Sequence, residues 1–344
     1  MTRQLSGEPE IYCINIPLPE GPLRNLNCYV VRSRGQYLVI DTGFPLPECS
    51  QALFGGLKEL GAEPADVSLF LTHLHNDHIG LASAFADQGC EVYMSEIDYG
   101  YFVRFNPKWR LEEAFREGFS QEELELMTKL NHYVKYRDGE SFPAKQVRDG
   151  FTFFVGDVQF QCIVVPGHTP GHTCLYIPRY EIMFLGDHIL FDITPNITFW
   201  PDVKDSLRDY LHSLDNIAAY PMKLALPAHR GYDGNVYERI RSIKAHHTVR
   251  LREVADIVCK EPDLTAYGIA ARMQWKMRGK SWKEFSLVPK WFAVGEAVAH
   301  LKYLIGEETI EKKEMSGVFR YTYKPPARCG TLTSAAGCDG VGIE

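Results

Sequence analysis

The sequence lacks any apolar run of about 18 residues or more, the length needed to cross a membrane. It also lacks the features of a secretory signal peptide, because residues 1–10 hold a single basic residue and no apolar stretch. We therefore expect a cytoplasmic protein without a membrane partner. The composition fits a soluble chain with a sizeable core, since 45% of the 344 residues are hydrophobic and 24% are charged.

Two kinds of catalytic motif are also missing. There is no Gly-x-Ser-x-Gly element and no phosphate-cradling glycine-rich loop, so neither a serine hydrolase nor a nucleotide triphosphatase is indicated. The nine cysteines are scattered and include no Cys-x-x-Cys pair, which favours free thiols in a reducing compartment. Cys174 is predicted to be a small buried hydrophobe rather than a nucleophile.

The most informative feature that is present is the hexapeptide His-Leu-His-Asn-Asp-His at residues 73–78. It follows the apolar run 67–71, which is predicted to be a buried strand. Two ligands at i and i+2 of a strand end can point toward one centre, and the two on the following turn face the same space. Imidazoles beside a carboxylate favour a water-activating zinc, iron or manganese site. The alternative is a loop that is rich in histidine by chance.

Further metal-competent side chains stand at the ends of three more predicted strands. The loop 166–172, Pro-Gly-His-Thr-Pro-Gly-His, follows an apolar strand and presents His168. Two other apolar strands end on Asp187 and on His229. Because each group stands at the carboxyl end of a strand, we expect them to form one rim of one sheet.

This order of motifs resembles the metallo-β-lactamase superfamily. The matching elements are H-x-H-x-D-H at 73–78, P-G-H-x-x-G-H at 166–172, Gly186-Asp187, the lone His229 and the early acidic turn at Asp41, and together they cover roughly residues 11–231. The resemblance implies an α/β fold, an αββα sandwich with the metals at the edge of its two sheets. It also implies two divalent metal ions, with zinc first and iron or manganese as alternatives.

The resemblance implies a role for each matching residue. The first metal would be held by His73, His75 and His168, and the second by Asp77, His78 and His229. Asp187 would bridge both metals.

Asp77 and Asp41 are given further roles. Asp77 is above all a ligand, and a second role as the catalytic acid–base that passes a proton to the leaving group stays open. Asp41 is expected to accept a hydrogen bond from a metal-bound imidazole, and an Asx turn with Gly43 is compatible with the same position. Four other histidines are not predicted to be ligands: His172, which is expected to brace its loop, His188, His246 and His247.

Two departures from the commonest zinc β-lactamases narrow the function. Those enzymes carry a cysteine where this chain has Asp187, and they generally lack the pairing of Asp77 with His78. Penicillin hydrolysis is therefore not expected. The complete set resembles instead the thioester hydrolases of the glyoxalase II type, the lactonases, the phosphodiesterases and the nucleases of the superfamily, and the fold alone does not choose among them.

The chain is predicted to have two domains. Residues 1–235 form the catalytic domain, with a helical insertion at about 97–146 whose crowded aromatic side chains make either a local core or a lid. The stretch 191–200 starts four residues after Asp187 at the edge of the site, leaves that edge and is a second candidate wall of the substrate site. Residues 236–325 read as three helices followed by a hairpin and resemble a winged helix. Residues 326–344 lack periodicity and are predicted to be disordered.

The two predicted domains differ in net charge. Residues 1–235 hold 19 Lys and Arg against 31 Asp and Glu, whereas residues 236–325 hold 17 against 11, so the second domain is basic. Within it, residues 272–283 interleave five cations with two tryptophans. Such a segment either binds nucleic acid or docks on the acidic domain of its own or a second subunit, and docking, including a homodimer, is favoured.

The leading hypothesis is a dinuclear metal hydrolase in which a hydroxide shared by two metals attacks a small acyl substrate, a thioester or a lactone. The alternative is a metal-dependent endoribonuclease or phosphodiesterase whose basic C-terminal domain holds single-stranded RNA. A regulatory winged-helix protein with a degenerate metal domain is a weaker hypothesis, because no ligand position is missing.

Overall fold

The structure is a computed structural model that describes residues 2–18, 23–104, 106–130, 141–231, 234–275 and 281–324. The tail 326–344 and residues 276–280 of the basic segment lie outside the described residues. The chain divides into two compact units. Unit 1 comprises Met1–Pro107 and Thr128–Ile243, and unit 2 comprises Lys108–Met127 and Lys244–Glu344.

Unit 1 contains two β-sheets. The strands of the seven-stranded sheet are, in spatial order, β1 (Thr2–Gly7), β2 (Glu10–Pro17), β3 (Asn25–Ser33), β4 (Gln36–Ile40), β5 (Val67–Leu71), β6 (Glu91–Ser95) and β7 (Lys145–Val147). The five-stranded sheet contains β8 (Thr152–Val155), β9 (Val158–Val164), β10 (Thr173–Ile177), β11 (Ile182–Gly186) and β12 (Leu224–Pro227). Each of these strands lies beside the next one in the chain, so the spatial order is also the chain order. Successive strands from β4 to β7 pair in parallel, as do β11 and β12, and the other neighbours are antiparallel.

The helices lie along the chain in ten segments. They are α1 (Pro47–Glu59), α2 (Asn76–Ile79), α3 (Ala82–Ala86), α4 (Glu96–Val103), α5 (Pro107–Arg116), α6 (Gln121–Leu130), α7 (Ser206–Ala218), α8 (Val236–Lys260), α9 (Ala266–Ala270) and α10 (Leu287–Gly306), counted within the described ranges.

The two sheets pack face to face, with helices outside. Between the sheets lies an apolar core to which both contribute, for example through Phe70 of β5 and Phe160 of β9. The other face of the seven-stranded sheet packs against α1, α3 and α4. On the side of the five-stranded sheet, Tyr210 of α7 donates to the backbone carbonyl of His188 at 2.8 Å. The αββα sandwich expected from the sequence is confirmed.

The strand directions gather the predicted ligands. Parallel pairing brings the carboxyl ends of β4, β5 and β6 to one edge of the first sheet. In the second sheet, β9, β11 and β12 also run in one direction. The segments that follow these ends carry the side chains of interest: Asp41 after β4, His73 to His78 after β5, His168 after β9, Asp187 after β11 and His229 after β12.

The first part of the predicted insertion forms a local core in unit 1. Tyr99 and Phe102 of α4 both pack on Phe142, with the Phe102 and Phe142 ring centroids 4.8 Å apart. Residues 131–140 of the insertion lie outside the described residues. Within the described ranges, no helix combines the length and the apolar character needed to cross a bilayer.

Unit 2 contains the predicted helices and hairpin. Strands β13 (Ile310–Met315) and β14 (Val318–Tyr323) pair antiparallel across a tight turn, where Ser316 and Gly317 have φ values of 52° and 78°. The winged-helix assignment itself stays a prediction. Unit 2 also includes Lys108–Met127 from the insertion, while the first turns of α8 belong to unit 1, so these divisions differ from the boundaries at 97–146 and 235 read from the sequence.

Candidate metal centre

The structure brings all seven predicted ligands together at the edge of unit 1. Their donor atoms form three groups in which every atom lies within 4.8 Å of the others: His73, His75 and His168; His73, His78 and Asp187; and Asp77, His78 and His229. We call His73, His75 and His168 the three-histidine cluster. We call Asp77, His78 and His229 the mixed cluster.

In the three-histidine cluster, two imidazoles aim at the third. Nδ1 of His75 lies 3.0 Å from Nε2 of His73 and 3.0 Å from Nε2 of His168. The other ring nitrogen of His168, Nδ1, donates to the backbone carbonyl of Asn196 at 2.8 Å. The free lone pair of His168 is therefore on Nε2 and points toward His75.

A chain of hydrogen bonds fixes His73 in the same way. The hydroxyl and the backbone N–H of Thr72 each donate to the carboxylate of Asp41 at 2.8 Å. Because the hydroxyl proton is used there, the oxygen can only accept from Nδ1–H of His73, which lies 3.0 Å away. The lone pairs on Nε2 of His73 and Nε2 of His168 thus both face Nδ1 of His75. One proton on that nitrogen cannot form a good hydrogen bond to both, whereas one cation can bind all three nitrogens.

In the mixed cluster, ring nitrogens converge on carboxylate oxygen. Nε2 of His78 lies 3.2 Å from Nε2 of His229, which lies 3.4 Å from Oδ2 of Asp77. Nδ1 of His229 donates to the carbonyl of Asn25 at 2.7 Å, and Nδ1 of His78 lies 2.8 Å from Oδ2 of Asp41. Asp41 therefore makes the contact with a ligand imidazole that the sequence predicted.

Asp187 lies between the two clusters. Its Oδ1 is 3.2 Å from Nε2 of His229, and its Oδ2 is 3.6 Å from Nε2 of His168. Oδ1 is buried, and no donor among the described residues, Nε2 of His229 included, approaches it with hydrogen-bond geometry. Gly186, with a φ of 53°, brings the chain this close, because a Cβ atom there would lie 2.6 Å from Nε2 of His172.

Electrostatics differ between the clusters. Burial lowers the pKa of His73 and of His75 well below 6.5, so both are neutral. Burial also lowers the pKa of His229, but the carboxylates of Asp187 and Asp77 together outweigh burial and raise this pKa to about 10. Buried carboxylates that draw protons onto imidazoles are neutralised equally well by divalent cations, so the donor set fits two such ions.

The other histidines have different surroundings. Nε2 of His172 accepts the backbone N–H of Asp187 at 3.0 Å, so this side chain holds the segment of Asp187 rather than its own 166–172 loop. His188 is buried beside Tyr210, with ring centroids 5.3 Å apart. None of the metal-competent groups of three found among the described residues includes His172, His188, His246 or His247.

The sequence analysis missed Asp98. Asp98 is fully buried at the start of α4, and its only sequence signal is the capping pattern Ser-x-x-Asp directly after β6. The last residue of the stretch 191–200, the second candidate wall, lies beside the three-histidine cluster. Trp200 lies 6.1 Å from His75 between ring centroids, and its indole N–H donates to the carbonyl of His168 at 3.3 Å.

Comparisons with known proteins agree with this architecture. A metallo-beta-lactamase family protein of Thermus thermophilus is similar in structure, with a TM-score of 0.78 at 25% identity over 91% of this chain and 98% of the other. A beta-lactamase domain protein of Burkholderia ambifaria gives a TM-score of 0.79 at 24% identity over 94% of each chain.

Curated relatives are more distant in sequence. The lactamase-like protein nscB of Neosartorya fischeri is 22% identical over 242 residues, which are 70% of this chain and 58% of that protein. The atrochrysone carboxyl ACP thioesterase of Emericella nidulans is 23% identical over 231 residues, 67% of this chain and 60% of that protein. The chain thus spans about three fifths of the length of these relatives.

The sequence profile of the Metallo-beta-lactamase superfamily matches residues 21–229, which include every predicted ligand and more than half of the chain. The two-sheet sandwich and the edge position of the clusters agree with that match. The chain belongs to the metallo-beta-lactamase superfamily.

Proposed function

We propose that this protein is a dinuclear metal-dependent hydrolase of small acyl substrates, with thioesters first and lactones second. The observation that carries the proposal is the convergence of seven donor side chains in two clusters joined by Asp187. The three-histidine cluster would hold one cation and the mixed cluster the other, with Asp187 reaching both. Zinc is the proposed metal, with iron or manganese as alternatives.

When bound, the two cations would lower the pKa of a shared water toward neutrality and polarise the acyl oxygen. The residues of the chain prepare this chemistry by holding each imidazole in the right tautomer. Asn196, Asn25 and Asp41 each engage the Nδ1 of one histidine, which leaves its Nε2 facing the centre. Asp77, whose Oδ2 lies in the mixed cluster, stays the predicted proton carrier to the leaving group.

A thioester is favoured as the substrate for two reasons. The relative from Emericella nidulans is named as a thioesterase that acts on an acyl carrier protein. The aspartate at position 187 also differs from the cysteine of the commonest zinc β-lactamases, so hydrolysis of penicillins is not proposed. A small acyl group fits a site whose wall beside His75 is the aromatic face of Trp200.

The RNA-cleaving alternative gains no support from the described part of the basic segment. The guanidinium of Arg272 forms two hydrogen bonds with the carboxylate of Glu261, at 2.8 and 2.6 Å, within unit 2. Its charge is therefore already compensated by a neighbouring side chain. The homodimer also stays a prediction.

A turnover screen tests the proposal. Protein stripped of metal with a chelator and protein reloaded with zinc, iron or manganese would be assayed on acyl-coenzyme A thioesters, lactones, phosphodiesters and single-stranded RNA. We expect hydrolysis of thioesters or lactones by the reloaded protein alone. Cleavage of RNA with no acyl turnover under any metal would contradict the proposal.

The bridging carboxylate gives a second test. Asp187→Asn removes a negative charge between two cations, so both sites should weaken, and kcat/KM should fall on the order of 1,000-fold, equivalent to several kcal/mol. Elemental analysis would report metal per chain. The matched control is Asp205→Asn, which changes a buried carboxylate that caps α7 by accepting the N–H of Arg208 at 3.0 Å. Full metal and full turnover in Asp187→Asn would exclude the bridge.

A further inference from the structure

One buried carboxylate ties together the two loops that carry the three-histidine cluster. Oδ2 of Asp98 accepts the backbone N–H of Leu74 at 3.0 Å and the hydroxyl of Thr169 at 2.6 Å. Oδ1 accepts the backbone N–H of Gly171 at 2.6 Å. Asp98 itself is held at the start of α4, where the hydroxyl of Ser95 accepts its N–H at 3.0 Å.

The donors that bond Asp98 are sequence neighbours of the three histidines. Leu74 stands between His73 and His75, and Thr169 directly follows His168. A single carboxylate therefore bonds both segments that supply the three histidines, although these segments follow strands of different sheets.

Asp41 occupies the corresponding place for the other cluster. Its Oδ2 lies 2.8 Å from Nδ1 of His78, a member of the mixed cluster, and its Oδ1 accepts the N–H of Thr72 at 2.8 Å. Thr72 also touches His73, so Asp41 reaches the mixed cluster directly and the three-histidine cluster through one intermediate residue.

The 166–172 loop packs closely against the start of α4 at Gly171. A Cβ atom on Gly171 would lie 2.3 Å from Oγ of Ser95 and 2.5 Å from the backbone nitrogen of Asp98. The 166–172 loop and α4 are thus in direct backbone contact, and a lost acceptor would leave buried N–H donors without a partner. The loops would then separate or shift to find new partners.

We propose that Asp98 is a positioning residue that sets the spacing of the three-histidine cluster and thereby its affinity for one of the two metals. The inference rests on the proposed function only in assuming that the clusters bind metal. Partners outside the ligand set commonly change metal affinity by about 10- to 100-fold. The effect of Asp98 should be of this size and should fall on one metal rather than on both.

The test is metal titration of the full chain, which needs no substrate. Chelator-stripped protein would be titrated with Co²⁺ by visible absorbance and with Zn²⁺ against a chromophoric competitor. We expect wild type to bind two equivalents, and Asp98→Asn to keep one at wild-type affinity and to bind the other about 10- to 100-fold more weakly. The absorbance bands retained in Asp98→Asn should be those of a site with two imidazoles and carboxylate oxygen. Asp41→Asn should instead weaken the equivalent at the mixed cluster.

A milder pair keeps the test valid if Asp98→Asn does not fold. Thr169→Val removes one of the three hydrogen bonds at nearly constant volume, and Thr169→Ser restores the hydroxyl. We expect Thr169→Val to weaken the same equivalent by a smaller factor and Thr169→Ser to return it toward wild type. Asp205→Asn serves again as the buried-carboxylate control, with both equivalents unchanged.

Three outcomes would overturn the proposal: unchanged titration in both Asp98→Asn and Thr169→Val, equal weakening of the two equivalents, or failure of Thr169→Ser to rescue. A wild type that binds two metals but hydrolyses neither thioesters nor lactones would refute the proposed function and leave this inference intact. A wild type that binds no metal would overturn both.

Discussion

Each unit of the molecule buries a pair of histidines whose ring nitrogens lie equally far apart, but the pKa values of the two pairs shift in opposite directions. Nε2 of His78 and Nε2 of His229 lie 3.2 Å apart in unit 1, and Nδ1 of His247 and Nε2 of His300 lie 3.2 Å apart in unit 2. In unit 1 the pKa of both imidazoles is raised. In unit 2 it is lowered for both, chiefly by burial, and to about 3 for His300.

The surrounding charges explain the difference. The unit 1 pair faces ionised carboxylates, and the pKa of Asp77, which burial alone would raise, is lowered to about 2 mainly by the charge of His78. In unit 2, Nδ1 of His300 donates to the carbonyl of Glu296 at 2.7 Å, while the carboxylate of Glu296 pairs with Arg250 at 3.2 Å. The carboxylates that face the unit 1 pair thus supply negative charge that a divalent cation would neutralise, whereas the carboxylate of Glu296 near the unit 2 pair is already paired with Arg250.

The largest expected effect comes from the same substitution made in each pair. His229→Gln removes a donor from the mixed cluster, so metal content should fall from two ions toward one per chain and kcat/KM should fall by about 100-fold or more. His300→Gln should leave both values unchanged and lower the free energy of unfolding by about 1–2 kcal/mol, because a buried hydrogen bond is lost. Elemental analysis, kinetics and denaturant melts would separate these effects. Loss of metal in His300→Gln would break the comparison.

The next effect is on the pH dependence of metal binding. An imidazole must lose its proton to bind a metal, and in the metal-free protein the pKa of His229 is raised to about 10. Affinity at the mixed cluster should therefore rise with pH up to about 10, by about tenfold per pH unit for each proton displaced. The three-histidine cluster, whose histidines have lowered pKa values, should bind with nearly constant affinity above pH 6.5. Zinc titrations at several pH values would check this, and parallel slopes for the two ions would contradict it.

How much of this site the sequence could predict depends on how local each signal is. The hexapeptide 73–78 carries its spacing within itself, and the apolar runs before Asp187 and His229 mark strand ends that the structure confirms. These signals need only the periodicity of a strand and the direction of parallel pairing.

Asp98 could not be recognised in the same way. Its role depends on β6 being the neighbour of β5 and on the 166–172 loop folding against α4, and neither fact is encoded near Asp98. A capping aspartate is common, so the pattern Ser-x-x-Asp alone indicates only a helix start. The return of Trp200 to His75 is likewise set by the path of a loop, which periodicity does not describe.

The sequence also could not predict that the insertion is divided between the two units. The pattern Ser-x-x-Glu at Ser120 and Glu123 marks the start of α6, where each side chain accepts the backbone N–H of the other residue, at 3.2 and 3.1 Å. An amphipathic helix, however, does not say which surface covers its apolar face. Assignment of Lys108–Met127 to unit 2 follows from long-range contacts such as that of Glu117 with Tyr321.

The smallest expected effect concerns this buried carboxyl of unit 2, where burial outweighs the hydrogen bond of Tyr321 and the charges of Lys312 and Lys302, all of which lower the pKa. Glu117 is 1% exposed, and its carboxyl pairs with the hydroxyl of Tyr321 at 2.8 Å. Burial raises the pKa of Glu117 from 4.5 to about 7, in contrast to the lowered pKa of Asp77. The folded state thus prefers the protonated carboxyl, and this contribution to stability, present below pH 4.5, is lost as the pH rises through about 7.

Glu117→Gln tests that account, because a glutamine keeps the acceptor for Tyr321 without the charge. A pKa raised by this amount corresponds to at most about 3 kcal/mol, so the variant should be more stable than wild type at pH 8 by up to that amount and equal to it near pH 4. Denaturant melts across this pH range would measure the difference, and metal content should stay at the wild-type value throughout. If the variant were less stable than wild type at pH 8, the folded protein would favour the ionised carboxylate of Glu117, so its pKa would not be raised and burial in unit 2 would not differ from burial at the candidate metal centre.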